Sequence, residues 1–347
     1  MKQIARNSSI ELLRIIAQFF IVYYHIFLIF VYPLLNEPFY KAIQIPLHIG
    51  VILFILISGY FGIKPSIKGF TRLVLIVFLY YLPLRYYELW ESNASLLSFI
   101  KSGGVISRTP YWFIRTYLCF YLFVPVVNFY ISNVSVYKRR YFLFILVFIS
   151  IYLGTAHGDP TLWDGKNIVN FTLIYMIGHE LRGMNLNRFN YWSILIIYVL
   201  LNVVSVIAYC ILSDSIISKM IFHISYPYCS PLLIFNAILF FILIARIHFS
   251  SKFINWCAQS VLAIYLIHCH PFILDNLIGP VCIDVCKNIT GEFMICFVLF
   301  VFAILIMIFS IVIDKLLYPV WTIVNDISEK IECLYTRISN RYIHTIE

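Results

Sequence analysis

Read for polarity alone, the chain is a series of long apolar runs separated by short polar clusters. Ile15 to Asn36 contains no Asp, Glu, Lys or Arg, and Tyr191 to Ser213 and Phe293 to Ile313 are similar. An uncharged apolar run of about 18 or more residues is long enough to cross a bilayer as a helix. On that rule the pattern predicts ten spans, at about 10–32, 43–63, 70–90, 111–131, 141–157, 167–182, 191–213, 229–248, 254–275 and 293–317. The fifth and sixth are short. The predicted fold class is an all-α polytopic membrane protein of about ten transmembrane helices. The first span carries charged residues at its start and no small-residue cleavage site after it, so it does not read as a signal peptide. No internal repeat or low-complexity tract interrupts the pattern.

Composition agrees with this reading. Hydrophobic residues make up 62% of the 347 and charged residues 12%, against about 45–50% and about 25% in ordinary soluble domains. So few charges exclude a soluble enzyme, a disordered chain and a coiled coil. The net charge is +9. In a soluble chain that excess points to nucleic acid; in a membrane chain it reads as cytoplasmic loops, and no nucleic-acid partner is expected. Placing the N-terminus inside puts Lys2, Arg6, Lys64, Lys68, Arg72, Lys138, Arg139, Arg140, Arg182, Arg188, Arg246 and Lys252 on the inner side. The outer side then holds fewer bases, Lys41, Arg85, Lys101, Arg108, Lys166, Lys219 and Lys287, accompanied by Glu37, Glu88, Glu91, Asp159, Asp164, Asp214, Asp284 and Glu292. The expectation is N-in and C-in in the inner or plasma membrane, with residues 1–318 forming the membrane domain. Residues 319–347 form a short cytoplasmic tail that mixes charges and reads as an amphipathic helix.

Ionisable groups inside a span are costly and point to function by default. The first span has the most informative set. Arg14 and His25 are eleven residues apart; at about 100° and about 1.5 Å per residue they share a face and lie roughly 16 Å apart. Gln18 extends that face, and Glu11 is placed to pair with Arg14. A neutral imidazole takes and returns protons near neutral pH, and a guanidinium fork suits phosphate. A bland reading stands beside each: an arginine near a helix end also snorkels to headgroups, and a lone histidine is often structural.

Other residues give weaker signals. Arg72 opens the third span near Lys64 and Lys68; such a cluster suits a nucleotide-like cofactor, but positive-inside loops look the same. Arg115 lines a cavity or reaches the headgroups. His268 and His270 form an H-x-H pair without carboxylate or cysteine partners at metal-ligand spacing, so no metal is expected. Gly59, in Ser58-Gly59-Tyr60, suits close helix packing. Nine cysteines are scattered; Cys282 and Cys286 share a predicted loop in which a disulfide is one option.

Five segments in register resemble the bacterial integral-membrane acyltransferase 3 family, whose members acylate sugars and cell-surface glycans. They are Glu11-Leu12-Leu13-Arg14 with the run to His25, Phe54 to Phe61 around Ser58-Gly59-Tyr60, and Tyr111-Trp112-Phe113 with Tyr121 to Pro125. Tyr175 to Gly178 and Ser260 to His268 complete the set. The resemblance covers about residues 8–318. It implies a ten-helix domain that takes acetyl-CoA or a related acyl-CoA from the cytoplasm. It also implies functional roles for Arg14 and His25 and a cofactor contact at Arg72. Many members have adjacent arginines at that last point; here Arg72 stands alone with Lys68 four residues before it. Some members carry an extra hydrolase-like domain, and none is seen up to Glu347.

The expected function is membrane O-acyl transfer, most simply O-acetylation, from acyl-CoA to a hydroxyl of a cell-surface polysaccharide or its lipid-linked precursor. Arg14 and His25 are the expected catalytic residues, and Arg14, Arg72 and Lys68 the expected cofactor-binding ones. The rival reading is a polysaccharide flippase or exporter, although many transporters show twelve or more spans and internal duplication.

Overall fold

The structure, a computed structural model, describes residues 7–31, 43–104, 109–156, 161–162, 164–211 and 227–343. Lys2, Arg6, Lys41, Arg108 and Lys219 of the charge count lie outside the described residues. No strand occurs among the described residues.

The helices in chain order are α1 Ser8–Ile26, α2 Gly50–Phe61, α3 Ile67–Glu91, α4 Leu96–Ser102, α5 Trp112–Asn133, α6 Val136–Ile149, α7 Ile168–Gly183 and α8 Tyr191–Ile211. They continue with α9 Pro231–Ala245, α10 Lys252–His268 and α11 Pro271–Cys286, α12 Glu292–Leu316 and α13 Tyr318–Ile343. Several start where a Ser or Asn side chain accepts an orphan backbone N–H. Asn7 takes Ser9 N at 3.1 Å, and Ser66 takes Gly69 N at 2.9 Å.

Among the described residues, six helices are long and apolar enough to cross a bilayer, or seven if α10 and α11 count as one bent span. The polytopic all-α class holds. The ten-span count goes further than these lengths, because α6, α7 and α9 have only 14, 16 and 15 residues. The apolar face of α8 is what lipid would cover: only 6% of the apolar window in Tyr191–Ala208 is buried within the protein.

The ninth predicted span is not one helix. It breaks after His268 and bends by 73° into α11. Pro271 causes this, because it offers no N–H to the preceding turn and pushes His270 into extended backbone. Cys282 and Cys286, expected in a loop, lie on α11 as free, buried thiols. The segment after Tyr318 is helical as expected, but long. α13 packs along α3, with Trp321 against Tyr80 (ring centroids 5.6 Å apart) and Glu329 on Lys68 Nζ at 2.7 Å.

Two glycine contacts set the α2–α7 crossing. A Cβ on Gly59 would stand 2.0 Å from Tyr175 O, and one on Gly178 2.3 Å from Leu56 O. Small residues let membrane helices approach at backbone distance, where dispersion rather than water-driven burial holds them. Gly59 thus packs as its sequence context predicts, and its partner is Gly178.

Three contacts put chain segments at one end of the bundle. Ser251 N donates to Ser8 Oγ at 2.9 Å, Lys315 Nζ donates to Trp256 O at 3.1 Å, and Asp314 accepts from Ser260 Oγ at 2.6 Å. The beginnings of α1 and α10 and the end of α12 therefore lie together.

Candidate active site

A cavity of about 290 Å³ lies between α1, α2, α5 and α10. Arg14, Gln18 and His25 of α1 all line it, so the predicted polar stripe faces one space. Leu47 and His48, Phe54, Ile57 and Ser58 form another wall; Trp112, Tyr117, Tyr228 and Tyr265 form a third.

At one end Arg14 Nη1 donates to Glu11 at 3.1 Å, the expected i,i+3 pair, and its guanidinium lies 5.8 Å from the Phe61 ring centroid. Arg182 Nη1 donates to Phe61 O at 3.3 Å, so Phe61 is held by one arginine through its carbonyl and faced by another across its ring. One turn further in, Gln18 is buried, and its Nε2 has no hydrogen-bond partner among the described residues. A buried, unsatisfied donor typically costs about 1–3 kcal/mol; a ligand oxygen in the cavity would remove that penalty.

At the other end, His25 Nδ1 is 3.1 Å from His268 Nε2. His268 is fully buried, and its Nδ1 lies 2.6 Å from Ile264 O. A carbonyl only accepts, so Nδ1 carries the proton of the neutral ring and Nε2 is left as an acceptor. When His25 Nδ1–H donates to that acceptor, His25 Nε2 is the unprotonated nitrogen. His268 thus selects the tautomer in which a residue of the cavity wall serves as a base. Cys269 Sγ completes the cluster, 3.3 Å from His25 Nδ1 and 3.1 Å from His268 Nε2. These three ligand-capable atoms all lie within 4.8 Å of one another.

The other predicted residues fall outside the cavity. Lys68 is paired with Glu329, and its backbone N–H donates to Glu332 at 3.3 Å. Arg72 is exposed, next in sequence to Leu73 of the cavity wall. Arg115 is exposed and does not line the cavity. His268 and His270 do not act as a pair. His270 Nδ1 accepts from Phe272 N at 3.2 Å and its Nε2 faces Tyr81 O at 3.2 Å, which is a structural role.

Sequence reasoning missed three participants. His268 was visible as the end of the Ser260 to His268 segment and as half of an H-x-H spacing, with no role assigned to it. Cys269 gave no signal beyond adjacency to it. His48 stacks on Tyr228, with centroids 4.6 Å apart and planes at 13°; an ionisable residue within the predicted span 43–63 was the available clue.

The family whose model is described as an acyltransferase domain matches residues 7–314, nearly the whole chain. The chain belongs to the acyltransferase 3 family. The acyltransferase reading therefore stands and the transporter reading is not favoured. No curated protein and no solved structure matches this acyltransferase. The matched region takes in the whole cavity wall, from Arg14 of α1 to Tyr265 of α10.

Proposed function

We propose that this membrane acyltransferase moves an acyl group, most simply acetyl, from cytoplasmic acyl-CoA to a hydroxyl of a cell-surface polysaccharide or its lipid-linked precursor. The observation that carries the reading is the single cavity joining a cationic end at Arg14 to an imidazole roughly 16 Å deeper at His25. Donor phosphates meet Arg14 and the exposed Arg72 at the cytoplasmic end of an N-in chain, with Lys68 a further cation once released from Glu329. The pantetheine arm runs along α1. Gln18 Nε2 supplies a donor to a substrate oxygen.

His25 takes the proton of the acceptor hydroxyl as that oxygen attacks the thioester carbon, or itself receives the acyl group first. His268 holds its tautomer. The stacked pair His48 and Tyr228, with Trp112 5.4 Å from Tyr228, offers ring faces for a sugar. The polarity of this route, cation first and base last, explains why Arg14 and His25 occur on one stripe.

The test is acyl-CoA turnover by purified protein in nanodiscs, using labelled acetyl-CoA and a cell-envelope glycan extract. Wild-type protein should transfer label to glycan. His25→Ala should lose about 100-fold or more, the lower range for a positioned acid–base group, and Arg14→Ala should weaken donor use. Full transfer by folded His25→Ala would refute the assignment of the base.

A further inference from the structure

We infer that Cys269 is a covalent acyl carrier in this site, so that transfer proceeds through an acyl-cysteine thioester. The inference rests on the acyl-CoA reading above and deepens it.

Four observations carry it. Cys269 Sγ is within 3.3 Å of two imidazole nitrogens. One of them, His268 Nε2, is obliged to be an acceptor by the bond from Nδ1 to Ile264 O. Cys269 as a residue is less buried than its neighbours His268 and His270, and its Sγ touches His25, which lines the cavity. Cys269 also sits at the break between α10 and α11; irregular backbone at membrane depth is tolerated where it is buried in protein or lines a cavity. A thiol next to an oriented base is an activated nucleophile.

The two half-reactions balance. In the first, with His25 Nδ1–H turned from His268 Nε2 to Sγ, Sγ adds to the thioester carbon of acyl-CoA as its proton passes to the freed His268 Nε2. The bond from that carbon to the CoA sulfur breaks, and the CoA sulfur leaves with the proton. One thioester replaces another, so no external free energy is needed. In the second, the acceptor hydroxyl attacks the acyl carbon as its proton passes to His25. The bond to Sγ breaks and Sγ recovers a proton from the imidazole. The sum is acyl-CoA plus alcohol giving ester plus CoA, with Cys269 restored. His25 is then the base of the second half-reaction and not the carrier.

The experiment uses full-length protein in nanodiscs with labelled acetyl-CoA and no acceptor, quenched in acid and mapped by peptide mass. The expected result is one acetyl group on the peptide containing Cys269, released by neutral hydroxylamine and chased onto glycan when acceptor is added. Cys269→Ala should carry no such label and lose about 100-fold or more in transfer. A second measurement needs no variant: acetyl-CoA should protect Cys269 of the wild type from N-ethylmaleimide, while the exposed Cys119 and Cys333 stay reactive.

Transfer at the wild-type rate by Cys269→Ala, or label that stays on it, overturns the carrier and leaves the acyltransferase standing. No turnover by wild-type protein overturns both. One zinc ion per chain that is lost in Cys269→Ala, with no thioester trapped, also overturns the carrier and assigns the cluster to a metal.

Discussion

Replacing Gly59 by Ala tests the packing that holds one cavity wall. The new Cβ would stand 2.0 Å from Tyr175 O, 2.8 Å from its carbonyl carbon and 2.9 Å from its Cα, whereas ordinary contact begins near 3.4 Å. The α2 and α7 backbones must therefore part by roughly 1.4 Å, enough to forfeit much of the dispersion between them. Overpacking a close contact costs about 1–3 kcal/mol, and a rigid backbone collider argues for the upper end. Alanine returns about 1 kcal/mol of helix propensity, so the net loss is about 2 kcal/mol. Gly183 ends the same helix α7, and a Cβ there meets nothing within 4 Å; Gly183→Ala is the internal control. The assay is the midpoint of SDS-induced unfolding in detergent, with acyl-CoA turnover alongside it, because Phe54, Ile57 and Ser58 of α2 line the cavity. A lower midpoint and lower turnover for Gly59→Ala only is expected. Equal midpoints for the two variants would refute the backbone-distance crossing.

Two further outcomes follow from the site. His268→Ala frees the tautomer of His25 and should lower transfer about 10-fold or more, with the pH–rate profile displaced; an unchanged profile would make His268 merely structural. Arg72→Ala should raise the acyl-CoA KM several-fold and Lys68→Ala far less, since Glu329 already holds the Lys68 ammonium; breaking that half-exposed pair should change stability by no more than about 1 kcal/mol.

The helices were legible in the sequence because uncharged apolar runs are local signals. The α1 stripe was legible for the same reason: Arg14, Gln18 and His25 share a face by arithmetic, and all three line the cavity. What the chain brings together from afar was not. His25 and His268 are 243 residues apart in sequence, and Lys68 and Glu329 are 261 apart; no periodicity encodes either meeting. The H-x-H spacing of His268 and His270 reads as no metal pair, but spacing alone does not show the break before Pro271 that sends their rings to different partners.

The break carries a consequence for topology and depth. α10 begins and α12 ends at the same end of the bundle, and α12 runs 25 residues without interruption, about 37 Å. The chain must therefore reach the opposite end before α12 starts, so α10 and α11 together make one net traverse and not a hairpin. By residue count, His25 lies about 25 Å from Ser8 along α1, and His268 about 24 Å from Lys252 along α10. The hydrocarbon core is about 30 Å thick. The histidines thus stand most of one core thickness away from the end of the bundle where α1 and α10 begin. If the acyl donor enters at the Arg14 end as proposed, its acyl arm makes the long journey and the acceptor hydroxyl enters only the last stretch.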